Sequence, residues 1–246
     1  MTTLLISSRH TVDNQVLWRA ATARDWDVVR AHGLRAPEIN DSEVVIYIES
    51  PFAPSIAKSI QRVLSELPED WLVRFPREMT HREIQLSTLG AARGLVQPTF
   101  VKLPNEKSFA AQVYASGQTL PLEFPDDMLV LLSEPVDWEV EFRCFCLDGK
   151  VMTLSPYLRN GALANESDYF CTEEEHSAVI TFTETVLNES SAFTPRAVVI
   201  DVGRIRQRGW AVVEANAAWG SGIYGCDPDI VLDVLRCATI HSVDTN

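Results

Sequence analysis

The run AVVIDVGRIRQRGWAVVEAN, from Ala197 to Asn216, restricts the fold of this chain more than any other stretch. Its two apolar, β-branched halves flank Arg206-Gln207-Arg208-Gly209, the pattern of an antiparallel hairpin. With Gln207 and Arg208 as the two turn residues, Asp201 falls directly opposite Glu214. Opposed residues hold their Cβ atoms about 4.5–5.5 Å apart, and like charges there destabilise the sheet, so something must neutralise them. Asn216 lies two residues beyond Glu214, points to the same face and adds an oxygen. Two carboxylates and an amide on one strand face form the hard-oxygen set that holds Mg²⁺ beside waters and phosphates. The competing reading leaves Asp201 and Glu214 on a solvated face, or paired with Arg204, Arg206 or Arg208. Those arginines cannot all serve, because the period of two puts Arg204 on the face opposite Asp201.

The remaining pattern is that of an α+β protein. Residues 139–147 and 150–158 flank Asp148-Gly149, the strongest short hairpin signal in any sequence. Thr172-x-x-Glu175 is a capping box that opens a helix reaching about Leu187, with Val179, Phe182 and Val186 on one side. Upstream, strands at residues 3–7, 28–29 and 43–49 alternate with helical periodicity over 14–23 and 54–67, a small α/β unit. Pro68, Pro76 and the charged stretch at 77–83 predict a boundary near residue 80, giving an N-terminal α/β domain 1–80 and a second domain 81–246. In the second, a strand at 100–103 returns through 112–115, and an apolar strand at 128–132 runs into Ser133-Glu134-Pro135-Val136.

Charge narrows the function classes. Against 21 Lys and Arg stand 34 Asp and Glu, a formal net charge of −13. Broad binding to nucleic acid or to an anionic membrane needs clustered positive charge, so neither is expected. No apolar run exceeds five residues, whereas a spanning helix needs about 20. The start MTTLLISSRH lacks the features of a secretory leader, and a cytoplasmic location is expected. Five cysteines with no C-x-x-C fit neither a disulfide framework nor a zinc cluster. Cys144 and Cys146 share a strand face, either as soft-metal ligands or as two small buried residues. Trp18 and Trp26 are expected in the core, and Trp219, beside Gly220, Gly222 and Gly225, is the one tryptophan considered for a substrate wall.

Basic residues inside strands are the exception in so acidic a chain. Lys102 ends an apolar strand, Lys107 follows past a turn, Arg143 stands in Glu139-Val140-Glu141-Phe142-Arg143, and Arg159 ends the hairpin's return strand. Lysine as a point charge and arginine as a donor fork both suit phosphate oxygens, and each one singly also reads as a surface cation or ion-pair partner.

The order Phe100-Val101-Lys102, Ser133-Glu134-Pro135-Val136, Glu141-Phe142-Arg143, Asp201-Val202-Gly203 and Glu214-Ala215-Asn216 resembles the ATP-grasp superfamily. The likeness runs over about residues 95–230 and is greatest to small bacterial ATP-grasp domain proteins, which Trp219-Gly220-Ser221-Gly222-Ile223-Tyr224-Gly225 also resembles. It implies an ATP-grasp fold of two β-rich subdomains clasping ATP, preceded by the α/β unit. Adenine would meet the hinge at Ser133, Glu134 and Val136, and Glu139 or Asp137 would accept from the ribose. Lys102 and Lys107 would reach phosphates, and Asp201, Glu214 and Asn216 would hold Mg²⁺. Arg143 and Arg159 would stabilise the transferring phosphoryl group or anchor a carboxylate. The implied activity is ligation of a carboxylate, activated as an acylphosphate, to an amine or similar nucleophile on a small molecule or peptide. One departure stands out: Leu103-Pro104-Asn105-Glu106-Lys107-Ser108 lacks the glycines that cover the phosphates in many members. That favours two alternatives, a nucleotide-binding regulatory module without ligase activity and a kinase that stops at the phosphorylated product.

Overall fold

Strands buried on both faces read as unbroken apolar runs, and Leu4, Leu5 and Ile6 are fully buried. In the computed structural model, which describes residues 1–39, 43–49 and 51–241, they belong to β1 (Thr2–Ile6), the centre of a parallel sheet. Helix α1 (Val12–Ala23) follows, its amide at Asn14 capped by the Thr11 hydroxyl at 3.1 Å. β2 (Asp27–Arg30) and β3 (Glu43–Tyr47) flank β1 in the order β2-β1-β3. The periodicity over 54–67 is split. Helix α2 (Ala53–Ser59) stops where Gln61 takes φ 55°, and β4 (Arg62–Leu64) then leaves in a new direction. The expected single helix is therefore a short helix and a strand.

Next come α3 (Arg77–Thr80), β5 (Ile84–Thr88), α4 (Leu89–Ala92), β6 (Thr99–Lys102), β7 (Gln112–Tyr114) and β8 (Leu129–Ser133). The strands form an antiparallel sheet in the order β5-β8-β6-β7. Val101, Val130 and Leu132 pack on Leu89 and Ala92 of α4, while Leu131, one residue along β8, joins the larger core beyond. Period two thus aims Lys102 and Ser133 away from α4.

The third sheet contains β9 (Trp138–Leu147), β10 (Lys150–Arg159), β11 (Ala162–Leu163), β12 (Ala197–Ile205) and β13 (Gly209–Asn216), ordered β11-β10-β9-β12-β13. Helix α5 (Glu173–Glu189) covers one face with Val179, Val186 and Leu187 over Phe142, Cys144, Cys146, Ile200 and Val202. The capping box is formed, with Thr172 and Glu175 each accepting from the other's amide. Cys144 and Cys146 are core residues of that face. Phe145 and Val199 point the other way, into a core shared with the parallel sheet and with α6 (Pro228–Leu235). The last strand, β14 (Thr239–His241), pairs with β4. Trp18 is not in the core: it is 37% exposed, beneath the Arg30 guanidinium at 4.9 Å. Trp26 is partly buried.

Candidate active site

On the face of the third sheet turned from α5, Asp201 of β12 and Arg143 of β9 are cross-strand partners. Their side chains meet side-on: Arg143 Nε donates to Oδ1 at 3.0 Å and Nη2 to Oδ2 at 2.6 Å. Asp201 is fully buried and Arg143 nearly so. Burial would lower the Arg143 pKa, but the Asp201 carboxylate more than reverses this, so the pair stays ionised. A buried pair is tolerated when its remaining polar atoms are also bonded. Arg143 Nη1 donates to the Gly222 carbonyl at 3.1 Å, and its guanidinium lies 5.3 and 5.0 Å from the ring centres of Tyr157 and Tyr224.

Asn216 ties the second carboxylate to the first. Its Nδ2 donates to Glu214 Oε1 at 2.9 Å and to Asp201 Oδ2 at 3.3 Å. Lys102 reaches across from β6 and pairs with Glu214 Oε2. Burial pushes the Glu214 carboxyl up, but Lys102 and Asn216 outweigh it and hold the group at about 2. Glu141 shares the face, accepts from the Tyr157 hydroxyl at 2.9 Å, and is pushed up to about 7, mainly by burial.

Asp201 does face Glu214, though not by the expected turn. Arg206, Gln207 and Arg208 all lie in the turn, between the pair Ile205 and Gly209. That register continues to Val202 opposite Val212, and a bulge at Val213 then brings Glu214 opposite Asp201. Arg82, buried between the two β-rich layers, holds the bulge. It donates to the carbonyls of Val212 at 2.6 Å and Val213 at 2.9 Å, and to Ser133 Oγ at 3.1 Å. Burial lowers its pKa to about 10, which leaves it charged at neutral pH.

Beside the hinge opens a cleft of about 630 Å³, lined among others by Arg82, Ile84, Leu132, Ser133, Glu134 and Pro135. Ligand pockets commonly measure about 300–1,000 Å³. Glu134 is tied down by Arg208 at 2.7 Å, and its amide by the Glu83 carbonyl at 3.0 Å. Val136 follows it, half-buried in the hinge.

The structure thus brings Lys102, Arg143, Asp201, Glu214 and Asn216 into one cluster. Others stay apart. Arg159 forms a two-pronged pair with Glu175 of the capping box, both contacts at 2.9 Å, on the α5 side of the sheet. Glu139 accepts from Arg204 at 2.7 Å, and Arg204 alternates away from Asp201. Lys107 is exposed in the loop after β6. Trp219 is no substrate wall: it is 5% exposed, and its Nε1 donates to the Ser65 carbonyl at 3.0 Å. The glycine segment it opens does reach the cluster through Gly222, and there it meets the N-terminal sheet. Asp13 Oδ2 accepts from the Tyr47 hydroxyl at 3.0 Å and from the Ile223 amide at 3.1 Å.

Sequence reasoning passed over Glu141, Tyr157, Tyr224 and Arg82. Alternation from Arg143 signals Glu141. Arg82 carries no such signal, since it lies in a charged stretch between elements.

Residues 79–234 match a family model of the ATP-grasp domain, the second family of its clade. No match was found among curated proteins by sequence. Among solved structures, a RimK domain protein ATP-grasp from Sphaerobacter thermophilus DSM 20745 superposes with a TM-score of 0.57 at 12% identity, covering 96% of this chain and 99% of that one. D-cycloserine synthetase DcsG gives 0.56 at 11% identity, with 96% and 99% covered. D-alanine–D-alanine ligase from Bacillus anthracis gives 0.52 at 12% identity, with 96% of each chain covered. At such identities the likeness is one of fold.

Proposed function

Because the chain belongs to this family of ATP-grasp domains, we propose that it is an ATP- and Mg²⁺-dependent ligase that activates a carboxylate as an acylphosphate and couples it to an amine or similar nucleophile on a small molecule or peptide. The fold is ATP-grasp, and ATP-dependent ligation is the class of activity that family membership supports. The observation that carries the finer reading is the convergence of Asp201, Glu214, Asn216, Lys102 and Arg143 across two strands and two sheets.

In this reading adenine lies in the cleft by Ser133, Glu134 and Val136, with Lys102 turned toward the phosphates. The donors fit a hard divalent cation: both carboxylates are ionised, Asn216 bridges them, and the Lys102 ammonium already marks a cation position at Glu214. Mg²⁺ held by Asp201, Glu214 and Asn216 would supply charge neutralisation across the phosphates. A substrate carboxylate oxygen attacks the γ-phosphorus and ADP leaves; the nucleophile then attacks the acyl carbon and phosphate leaves. Positioning and charge do most of this work. Arg143, bonded to Gly222, sets positive charge beside the glycine segment, where the carboxylate substrate is held.

Release of ADP by the full-length protein with Mg²⁺, ATP and panels of carboxylates and amines tests the reading. ADP release requiring both substrates is expected, with Asp201→Ala and Glu214→Ala reducing it roughly a hundredfold or more at unchanged circular dichroism. Wild-type turnover by either variant overturns the metal assignment. The glycine-free loop over 103–108 favours a second reading, a regulatory nucleotide-binding module. Nucleotide binding without ADP release is its signature, as a stable phosphorylated product is that of a kinase.

A further inference from the structure

Glu214 faces Asp201 only because β13 contains a bulge. From the turn, the ladder pairs Gly203 with Ala211 and Val202 with Val212. One more step in that register would set Val213 against Asp201 and Glu214 against Ile200, which is fully buried on the face under α5. A one-residue slip moves every later side chain to the other face of the sheet. The inserted residue prevents the slip, but a bulge disrupts the ladder locally and needs other partners for its polar groups.

Arg82 supplies them. Its guanidinium takes the carbonyls of Val212 at 2.6 Å and Val213 at 2.9 Å, the two residues at the bulge, and that of Thr80 at 3.2 Å. Its Nε is anchored on Ser133 Oγ at 3.1 Å, and the Trp138 ring lies 5.1 Å from the guanidinium carbon. A planar fork reaches these acceptors at once, which a lysine ammonium on its single stem does not.

We propose that Arg82 is a positioning residue: by clamping the Val213 bulge it turns Glu214 toward Asp201, and through Ser133 it ties that register to the sheet that carries Lys102. Its consequence for catalysis rests on the ligase reading; its consequence for the register does not.

Val213 makes the test specific. Deleting it removes the extra residue, so the straight ladder from the turn itself sets Glu214 opposite Asp201, and no clamp is needed. Cross-strand NMR contacts of the ligand-free, full-length protein report the register, and binding of Mn²⁺·ADP reports the acidic pair. Wild type is expected to show contacts between residues 201 and 214. Arg82→Met is expected to replace them with contacts between 201 and 213 and to weaken Mn²⁺·ADP at least tenfold. Adding the Val213 deletion to Arg82→Met is expected to restore both. Retention of the 201–214 contacts in Arg82→Met overturns the proposal, as does a loss that the deletion fails to repair. If Arg82→Met does not fold, recovery of folding on deleting Val213 supports the clamp, and continued failure overturns it. A wild-type protein with the 201–214 contacts but no affinity for Mn²⁺·ADP sinks the nucleotide reading instead and leaves the clamp to be decided by the NMR contacts.

Discussion

Glu141 is a buried acid of the site face whose one bonded partner is neutral, the Tyr157 hydroxyl. Burial raises its pKa from 4.5 to about 7, and the nearby charges of Asp201 and Glu214 add to the rise against that hydrogen bond. The folded state therefore keeps this proton to higher pH than the unfolded chain, so stability falls as pH climbs between about 4.5 and about 7. At roughly 1.4 kcal/mol per unit the cost approaches ~3 kcal/mol above that window. Glu141→Gln keeps an acceptor for Tyr157 without the charge. Urea titrations are expected to find it as stable as wild type at pH 4.5 and more stable by ~2–3 kcal/mol at pH 8; equal stability at both would show that Glu141 ionises freely. At this scale the sequence displayed the right atoms and only part of their pairing. Asp201, Glu214 and Asn216 were legible from strand alternation. That Asp201 would find Arg143, and Glu214 would find Lys102, was not, because each partner comes from another strand whose neighbour is chosen by the fold.

Between elements, the closest approach lies where β12 crosses β9. A Cβ on Gly203 would come 2.8 Å from the Val140 carbonyl and 2.7 Å from the Trp138 ring, and neither can retreat freely. Val140 is held in the ladder, and Trp138 is packed beneath Arg82. Gly203→Ala is expected to cost ~1–3 kcal/mol by overpacking, read as a lower urea midpoint. A variant as stable as wild type would mean that the two strands separate cheaply there. Elements with strong local codes were readable: the Asp148-Gly149 hairpin, the α5 capping box and the strand pairs around the site. Those whose code is weak were not. β5 is a short alternating run within a polar stretch, and the 54–67 periodicity masked the break at Gln61. α6 did carry a signal, Asp227 capping the Asp229 and Ile230 amides with Pro228 in the first turn.

For the whole molecule, the expected division near residue 80 separates layers that share a core. Leu4, Ile6, Leu17 and Ile46 pack in one cluster with Phe145, Val199, Trp219 and Leu232, and β14 pairs with β4. We propose that residues 1–80 and the rest fold as one cooperative unit. Removal of residues 1–80 uncovers the apolar face of the third sheet, and the remaining chain is expected to lose its near-ultraviolet dichroism and its sharp thermal transition. A sharp transition in the shortened chain would establish two independent domains. At the same scale the net charge of −13 coexists with a local basic site, since Lys102, Arg143 and Arg82 lie at the junction of the two β-rich layers while acids dominate the composition.

The sequence alone determined the hairpins, the sign of the bulk charge and the presence of two carboxylates on one strand face. These depend on neighbours within a few residues, where turn chemistry and the period of two operate. Only the tertiary structure decided that Arg159 serves a helix cap, that Arg143 holds Asp201, and that a bulge rather than the turn aligns Glu214. Each of these is a contact across folded layers, and none is more telling than Arg82 on Val212, 130 residues apart in the chain. A buried guanidinium goes where unpaired carbonyls are, and those are fixed only when the sheets have met.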